Sequence, residues 1–470
     1  MQGDFSWDPF NYSDAVSRVL YQEGRVQLDR DFNENTESIL RFLRGLGRDL
    51  IGAHGGVNDS FQILPSDPQD KDKYLLRWGQ YYVDGIRCLN LPKEDYWQTI
   101  QSVPNGANGS SFTIDRAALK LAGAVDSVLF YLDVYERHVS SEQDDSIREL
   151  ALLGPDTSSR AVVTWKVRAM PSREFDDLVT NLQTMIASVK LKAPGPTQAT
   201  WIGGGVDLRY VALNLLLRTG ARMRAKASES ESTNPCTIAP EARYRGTENR
   251  LFRVEIHDQG RNVGGVPVTS ATFKWSRDNA SIVYPIRKIE GVTIHLDSLG
   301  RDARTRICVN DWVEVVDDHI LDGGVVNPLL QVMWVSPDEM TVKLSAPPTG
   351  NAGHDHTLHP ILRRWESDVI PIETRTLPTD PWIDLADGVQ VQFSLVSPPQ
   401  KTYRTGDYWL IPTRTATGNV VWSDDNGLPR AMPPNGVDHH YAPLAKGTLN
   451  GVAVTDLRFT FKPWANAATP

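Results

Sequence analysis

Apolar residues at Leu28, Phe32, Ile39, Leu43, Leu46 and Leu50 recur at three- and four-residue spacing near the start of the chain, which predicts an amphipathic helix. Asp31 with Glu34 fits a capping-box start, and Gly52 supplies a stop. The gap at Asn35 and Thr36 interrupts the stripe, and interior Gly45 and Gly47 each weaken a helix by about 1 kcal/mol relative to alanine. Ahead of the stripe, Asp4, Asp8 and Asp14 break up Phe5, Trp7, Phe10 and Tyr12, so neither the basic nor the apolar region of an export signal is present. The stretch to Gly56 reads as an arm and helix, docked on its own domain or packed on a partner.

Beyond the arm the period changes to two. Strands are expected at Tyr74 to Trp78, Gln80 to Val83, Ser111 to Ile114, Val128 to Tyr135 and Ala161 to Met170, with Asp84-Gly85 as a hairpin turn. A helical stripe follows at Phe175, Leu178, Val179, Leu182, Ile186 and Val189, with Ser172 as candidate cap and Ala193-Pro-Gly-Pro196 as terminator. Polar Ser228 to Pro235 reads as a surface linker. Further strands are expected at Leu251 to Ile256, Ala271 to Trp275, Val292 to Leu296, Trp312 to Val316, Leu329 to Val335 and Thr341 to Leu344, which imply a small barrel or sandwich, with a barrel-like meander rhythm from Asn310 to Leu344. Val389 to Phe393, Asp407 to Ile411 and Arg458 to Phe461 continue the pattern. The expected fold is mainly β (α+β): several small antiparallel sandwich or barrel-like domains, an N-terminal arm and helix, and one further central helix. Residues 1–56 are the arm and helix, 57–170 a β domain, 171–235 a helix and connecting segment, 236–365 a β domain with a barrel-like module, and 366–470 a C-terminal β domain. Neither tandem repeats nor heptads of coiled-coil length occur, so an extended fibre shaft is not expected.

Composition narrows the function classes. The chain has 470 residues and 40% hydrophobic content, ample for several cores, without a run of the ~18 apolar residues that a membrane span needs. A net charge of -9 argues against broad phosphate-backbone binding. The basic alternation Arg222, Arg224, Lys226 fits the exposed face or edge of a strand without nucleic acid. Three separated cysteines, Cys88, Cys236 and Cys308, suggest neither a zinc site nor a disulfide framework, which fits synthesis in a reducing cytoplasm.

Candidate chemistry is sparse. His354, His356 and His359 form the densest ligand-type cluster, flanked by loop-forming Asn351 and Pro360; Asp438-His439-His440 is a weaker one. Asp317-Asp318 with Asp322 lack EF-hand spacing, no Gly-x-Ser-x-Gly elbow or phosphate loop occurs, and Gly203-Gly-Gly205 lacks a dinucleotide fingerprint. Neither a catalytic residue nor a cofactor is assigned. Of thirteen tryptophans, Trp78, Trp165, Trp275, Trp312, Trp334 and Trp409 sit in strand patterns and are expected in cores, whereas Trp7 and Trp464 are candidates for intermolecular contact.

A set of short motifs adds what periodicity does not: Gly3-Asp-Phe-Ser6, Gly24-Arg-Val-Gln-Leu-Asp29 with Asp31 and Asn33-Glu34, Asp49-Leu-Ile-Gly52 with Gly55-Gly56, and Tyr131-Leu-Asp-Val-Tyr-Glu-Arg-His138. Arg253-Val-Glu-Ile-His257, Phe273-Lys-Trp-Ser-Arg-Asp-Asn279, Arg363-Arg-Trp365, Tyr403-Arg-Thr-Gly-Asp-Tyr-Trp409 and His439-His-Tyr-Ala-Pro443 continue it. Together they resemble a family of uncharacterised function encoded beside the baseplate genes of phage-tail-like contractile injection systems. The resemblance implies a structural, non-enzymatic subunit at or around the baseplate, present in many copies and partnered by other baseplate or tail proteins. It would be made in the cytoplasm without a signal peptide and assembled into a particle, with no nucleic acid and no membrane insertion. The expected partner interface is Phe5, Trp7, Phe10, Arg25, Leu28, Asp29, Asp31, Phe32, Asn33 and Glu34. Alternative readings are a receptor- or glycan-binding module, and a metal-dependent hydrolase using His354, His356 and His359.

Overall fold

The period-two runs pair into sheets in the computed structural model of the chain, which describes residues 3–5, 16–65, 72–91, 109–114, 119, 127–192, 207–228, 243–263, 266–323, 326–372, 382–395, 403–425, 427–448 and 454–462. The fold is mainly β, as the pattern predicts, with four helices among the described residues. Strand pairing there is antiparallel except where Gly56 and Val57 run parallel to Thr460 and Phe461. Residues 193–196 and 229–235, expected as terminator and linker, lie outside the described residues.

The long strand Ser127–Val139 organises the first body. Its apolar run is continuous because both faces are covered. Val128, Phe130, Leu132 and Val134 pack on Phe61, Tyr74, Tyr81 and Ala442, whereas Leu129 and Tyr131 face Phe175, Leu213 and Tyr441. His440–Thr448 and Arg160–Pro171 flank this strand, and His54–Val57, Gly79–Val83 and Ile86–Asn90 form a neighbouring sheet. The Asp84-Gly85 turn forms as expected: Val83 pairs with Ile86, and both turn residues have positive φ (49° and 78°).

A second body is a sandwich. Its larger sheet runs Ile370–Pro371, Thr272–Ser276, Leu251–Asp258, Tyr408–Arg414, Asn419–Val420, and the smaller one Ile383–Asp384, Val389–Leu395, Ala221–Ala227. Phe252, Val254, Ile256, Phe273, Phe393 and Trp409 fill the space between. The expected small barrel is the third body, six strands closed in the order Val283–Glu290, Thr293–Leu296, Thr341–Leu344, Leu330–Ser336, Trp312–Val316, Ile361–Trp365. Its interior is aliphatic, with Ile286, Ile294, Val313, Val332, Val342 and Leu362 buried.

Residues 366–470 do not stand apart as the expected C-terminal β domain. Tyr408–Arg414 completes the large sandwich sheet, Val389–Leu395 pairs with Ala221–Ala227, and His440–Thr448 pairs with Ser127–Val139. Arg222, Arg224 and Lys226 alternate with buried Ala221, Met223 and Ala225. Trp275, Trp365 and Trp409 are buried, whereas Trp334, expected in a core, is exposed.

The four helices are α1 (Asp29–Ile51), α2 (Arg173–Lys192), α3 (Leu208–Leu217) and a single turn, α4 (Asp318–Gly323). α2 turns Phe175, Leu178, Val179 and Leu182 of its predicted stripe onto the first body. α3 is apolar around most of its circumference and so shows no stripe in the sequence; Asp207 caps it by accepting from the Arg209 amide at 2.9 Å. α1 begins earlier than its predicted capping box, after Leu28, which has no capping side chain. Asp29 and Asp31 instead lie in its first turn, where carboxylates favour the positive end of the helix dipole. Gly52, at φ 101°, ends it, its amide N–H donating to the Arg48 carbonyl at 2.8 Å.

Candidate functional site

α1 touches the body along a narrow line of charged and small residues. Arg44 Nη2 donates to Glu136 Oε1 at 2.5 Å, and Arg48 lies 3.7 Å from Asp84. Gly47 packs against Gly85, where an added Cβ would come within 2.1 Å of the Arg44 carbonyl oxygen. Ile51 closes the contact beside Gly55. An amphipathic helix of a folded domain ordinarily turns its apolar stripe inward. Here Phe32, Ile39, Phe42, Leu43, Leu46 and Leu50 face solvent, Phe42 at 70% exposure and Leu50 at 77%.

Most of the expected interface residues are on this element or lead into it. Arg25, Leu28, Asp29, Phe32 and Asn33 are exposed, and Asp31 and Glu34 are half-buried. The segment before the helix folds back along its first turns, with the Tyr21 ring 5.2 Å from that of Phe32 and the Val19 amide donating to Asn35 Oδ1 at 3.3 Å. Phe5 lies elsewhere, edge-on to the His138 ring of its own chain at 5.8 Å. Trp7, Phe10 and Trp464 lie outside the described residues. Phe42 belongs to the exposed face although the predicted stripe omits it; its place three residues after Ile39 was the available signal.

The opening residues join a buried ionic junction. The Asn279 amide nitrogen donates to the Gly3 carbonyl at 3.0 Å, and Asp4 lies 3.8 Å from Arg304. Arg304 and Arg250 each donate to Asp278 Oδ1 at 2.8 Å. Behind them, Arg253 bonds Glu255 at 2.6 Å and stacks its guanidinium 3.6 Å over the Tyr408 ring. Lys274 donates to Glu314 of the barrel at 2.6 Å, lies 3.4 Å from Glu255 and sits over the Trp365 ring. The alternation Arg253, Glu255, His257 thus turns a polar face of the sandwich sheet onto the barrel, while Phe252, Val254 and Ile256 face the core. Burial alone would raise the Glu255 carboxyl, but Arg253 and Lys274 hold it down at about 2. Complete burial pushes the Arg363 guanidinium down to about 10 against the pull of Glu255 and Glu314, and its Nε has no hydrogen-bond partner among the described residues.

His138 gives this junction a pH dependence. Burial first, and then nearby positive charges, Arg363 and Arg253 among them, lower its pKa to about 3. An unfolded histidine ionises near 6.5, so the unfolded chain takes up this proton first and stability falls as pH drops from about 6.5 towards 3. His138→Gln is expected to flatten the wild-type decline in melting temperature between about pH 6.5 and 5, above the ordinary carboxylate range. An unchanged slope would assign the decline to other groups.

Further His–Asp–Tyr clusters tie the first body together. His439 Nδ1 and Asp133 Oδ1 are 2.5 Å apart, with Arg168 donating to the other Asp133 oxygen at 2.7 Å. Burial would raise the Asp133 carboxyl, but His439 and Arg168 together hold it below the usual range. Arg404 donates to Asp407 and, at 2.7 Å, to the Tyr441 hydroxyl. Asp84 accepts from Tyr210 at 2.7 Å and contacts His440 at 2.8 Å, while His54 bridges Tyr81 and Asp207. These carboxylates and rings are engaged within the chain.

The predicted histidine cluster does not converge. His354 and His356 are exposed; His359 lies 2.8 Å from Asp318, which also pairs with Arg137. Asp317 accepts from the Ile320 and Gly353 amides at the start of α4. Among the described residues no group of three or more His, Cys, Asp or Glu is placed to hold a metal ion, and no helix is long and apolar enough to cross a membrane.

These features define a class: a multi-sheet β protein with polar networks satisfied largely within the chain and one amphipathic helix turned outward. The chain belongs to a family of unknown function, DUF6519, whose profile matches residues 1–201 and 210–459. None of the curated proteins matches it. Among solved structures, one titled "Crystal structure of TssK" is similar at 10% identity and a TM-score of 0.18, over 80% of this chain and 98% of that one, a likeness too slight to define a shared fold.

Proposed function

We propose that the chain is a non-enzymatic structural subunit of a phage-tail-like contractile injection system, at or around its baseplate, where α1 fastens the β body to the assembly and links peripheral components. The observation that carries this reading is the apolar stripe of α1 turned to solvent while charged and small residues face the body. A stripe of this size marks an interaction site. The motif resemblance supports the particle context, since Gly3, His138, Arg253, Asn279 and Tyr408 come from five separate motifs and meet in one junction. The chain is made in the cytoplasm and used in many symmetric copies, each repeating the same contacts.

Particles assembled without this chain are expected to lack complete baseplates in electron micrographs and to fail to fire. Complete baseplates and normal firing in its absence would overturn the assignment.

A further inference from the structure

The long hairpin of the first body carries a second apolar surface at its tip. Ser127–Val139 and Arg160–Pro171 pair as far as Val139 with Arg160, and the connection between them, residues 140–159, contains two short 3₁₀ turns, Asp145–Ile147 and Leu150–Leu152. There Leu150, Ala151, Leu152 and Leu153 are consecutive and exposed, the three leucines at 82%, 63% and 97%. Single leucines scattered over a surface are ordinary, but three within four residues at a loop tip are not. The tip is braced. Arg148 donates to Asp145 at 2.8 Å, to Glu142 at 2.9 Å and to the Gly154 carbonyl at 3.4 Å, so one guanidinium ties both flanks together. The Glu149 side chain accepts from the Ala151 amide at 2.9 Å, and its carbonyl accepts from the Gly154 amide at 2.9 Å. The turn holds Leu153 at φ 70°, a left-handed conformation that bulky residues rarely adopt. A segment ordered in advance loses less freedom when it docks.

Charge around the tip selects the occupant. Between Ser141 and Asp156 stand five carboxylates, Glu142, Asp144, Asp145, Glu149 and Asp156, against Arg148 alone. Arg301 of the barrel answers Asp156 at 3.4 Å, which still leaves the surround of the leucines acidic. An anionic membrane surface repels such a loop. Residues 140–159 also contain no Trp, Tyr, Phe or Lys, the side chains that anchor a segment among lipid headgroups. Two copies meeting tip to tip would set one acidic rim against the other. The complementary surface is an apolar pocket with Lys or Arg around its rim. We infer that Leu150, Leu152 and Leu153 insert into such a pocket on a different protein, the leucines supplying the buried core of the contact and the carboxylates its orientation. This contact is distinct from α1 and requires neither α1 nor the particle assignment.

The photo-crosslinking residue p-benzoylphenylalanine, placed at position 153 of the full-length chain in the cells that naturally produce it, tests this. One discrete adduct is expected, and mass spectrometry should locate the link at apolar residues of one other protein that lie beside its Lys or Arg side chains. The same residue at position 428, where Leu428 is 72% exposed, is expected to give no such adduct. With the crosslinker at position 150, Leu153→Ser should lower the yield about tenfold and leave the circular dichroism spectrum and melting temperature unchanged, because the Leu153 side chain faces solvent. Affinity between the purified chain and the captured protein should fall as salt rises. Adducts with lipid, or sedimentation of the purified chain with vesicles of phosphatidylcholine and phosphatidylserine, overturn the inference in favour of a membrane. Adducts between copies overturn it in favour of self-association. No adduct, an adduct on an acidic surface, or a yield unchanged by Leu153→Ser overturns it outright. Particles that assemble and fire without this chain would remove the baseplate assignment alone, since the adduct at position 153 is read independently of them.

Discussion

Replacing Glu314 with alanine is expected to destabilise the protein by about 3–5 kcal/mol, the usual cost of removing one partner from a buried ion pair. Its carboxylate accepts from Lys274 at 2.6 Å and from the Trp365 indole at 2.9 Å, and its side chain is almost wholly enclosed. Without it, Lys274 keeps Glu255 at 3.4 Å, but that carboxylate is already bonded to Arg253 at 2.6 Å. Arg363 loses one of the two carboxylates that favour its charge. Three buried cations, Arg253, Lys274 and Arg363, would then share Glu255. The damage comes from the stranded charge, so Lys274→Met with Glu314→Leu should recover much of the loss, as apolar replacement of both partners often does. Urea denaturation reads both variants: the single change should lower the midpoint with little change in slope, the double change much less. A single-variant loss under about 1 kcal/mol would mean that the junction is not desolvated as these contacts require.

The same junction shows how far local pattern reaches. Alternation in Arg253-Val-Glu-Ile-His257 was enough to place the three polar side chains on one strand face. Their partners could not be read, because Glu314 and Arg363 arrive from the barrel and Tyr408 from the adjacent sandwich strand more than 150 residues on, joined only by tertiary pairing. Four barrel strands were legible because they follow one another closely, with short-range pairs such as Thr341–Leu344 beside Leu330–Ser336, whereas Val283–Glu290 and Ile361–Trp365, which pair with each other to close the barrel, were not among the expected strands. The strands of residues 366–470 were equally legible as strands but not as members of the sandwich and of the Ser127–Val139 sheet. Period two reports burial of a face and is silent about which distant strand pairs with it. α3 escaped for the opposite reason: covered on most sides, it carries no alternation to detect. In α1 the stripe was visible, whereas its outward orientation depends on Glu136, Asp84 and Gly85, residues of other elements.

That orientation rests heavily on one glycine, and Gly85→Ala is expected to release α1 from the body. A β-carbon there would sit 2.1 Å from the Arg44 carbonyl oxygen and 2.7 Å from the Arg44 Cα. Both are backbone atoms of a helix and cannot swing aside as a side chain would. Gly85 also has φ 78°, which adds strain of about 1 kcal/mol or more for any residue with a β-carbon. The contacts opposing release are weak: Arg44–Glu136 and Arg48–Asp84 are both partly exposed, worth about 0–1 kcal/mol each. The helix should therefore lift rather than the hairpin distort. Amide exchange across Asp29–Ile51 is expected to rise by roughly tenfold or more, since each ~1.4 kcal/mol lost from local stability is a factor of ten. Exchange in the barrel should stay at wild-type rates, because its aliphatic core is separate from that of the altered hairpin. Arg44→Ala removes the ion pair without the clash and should raise α1 exchange far less. Equal effects of the two changes would show that charge, not the close approach of Gly85, holds the helix. Unchanged exchange in Gly85→Ala would show that α1 is fixed by contacts beyond this turn.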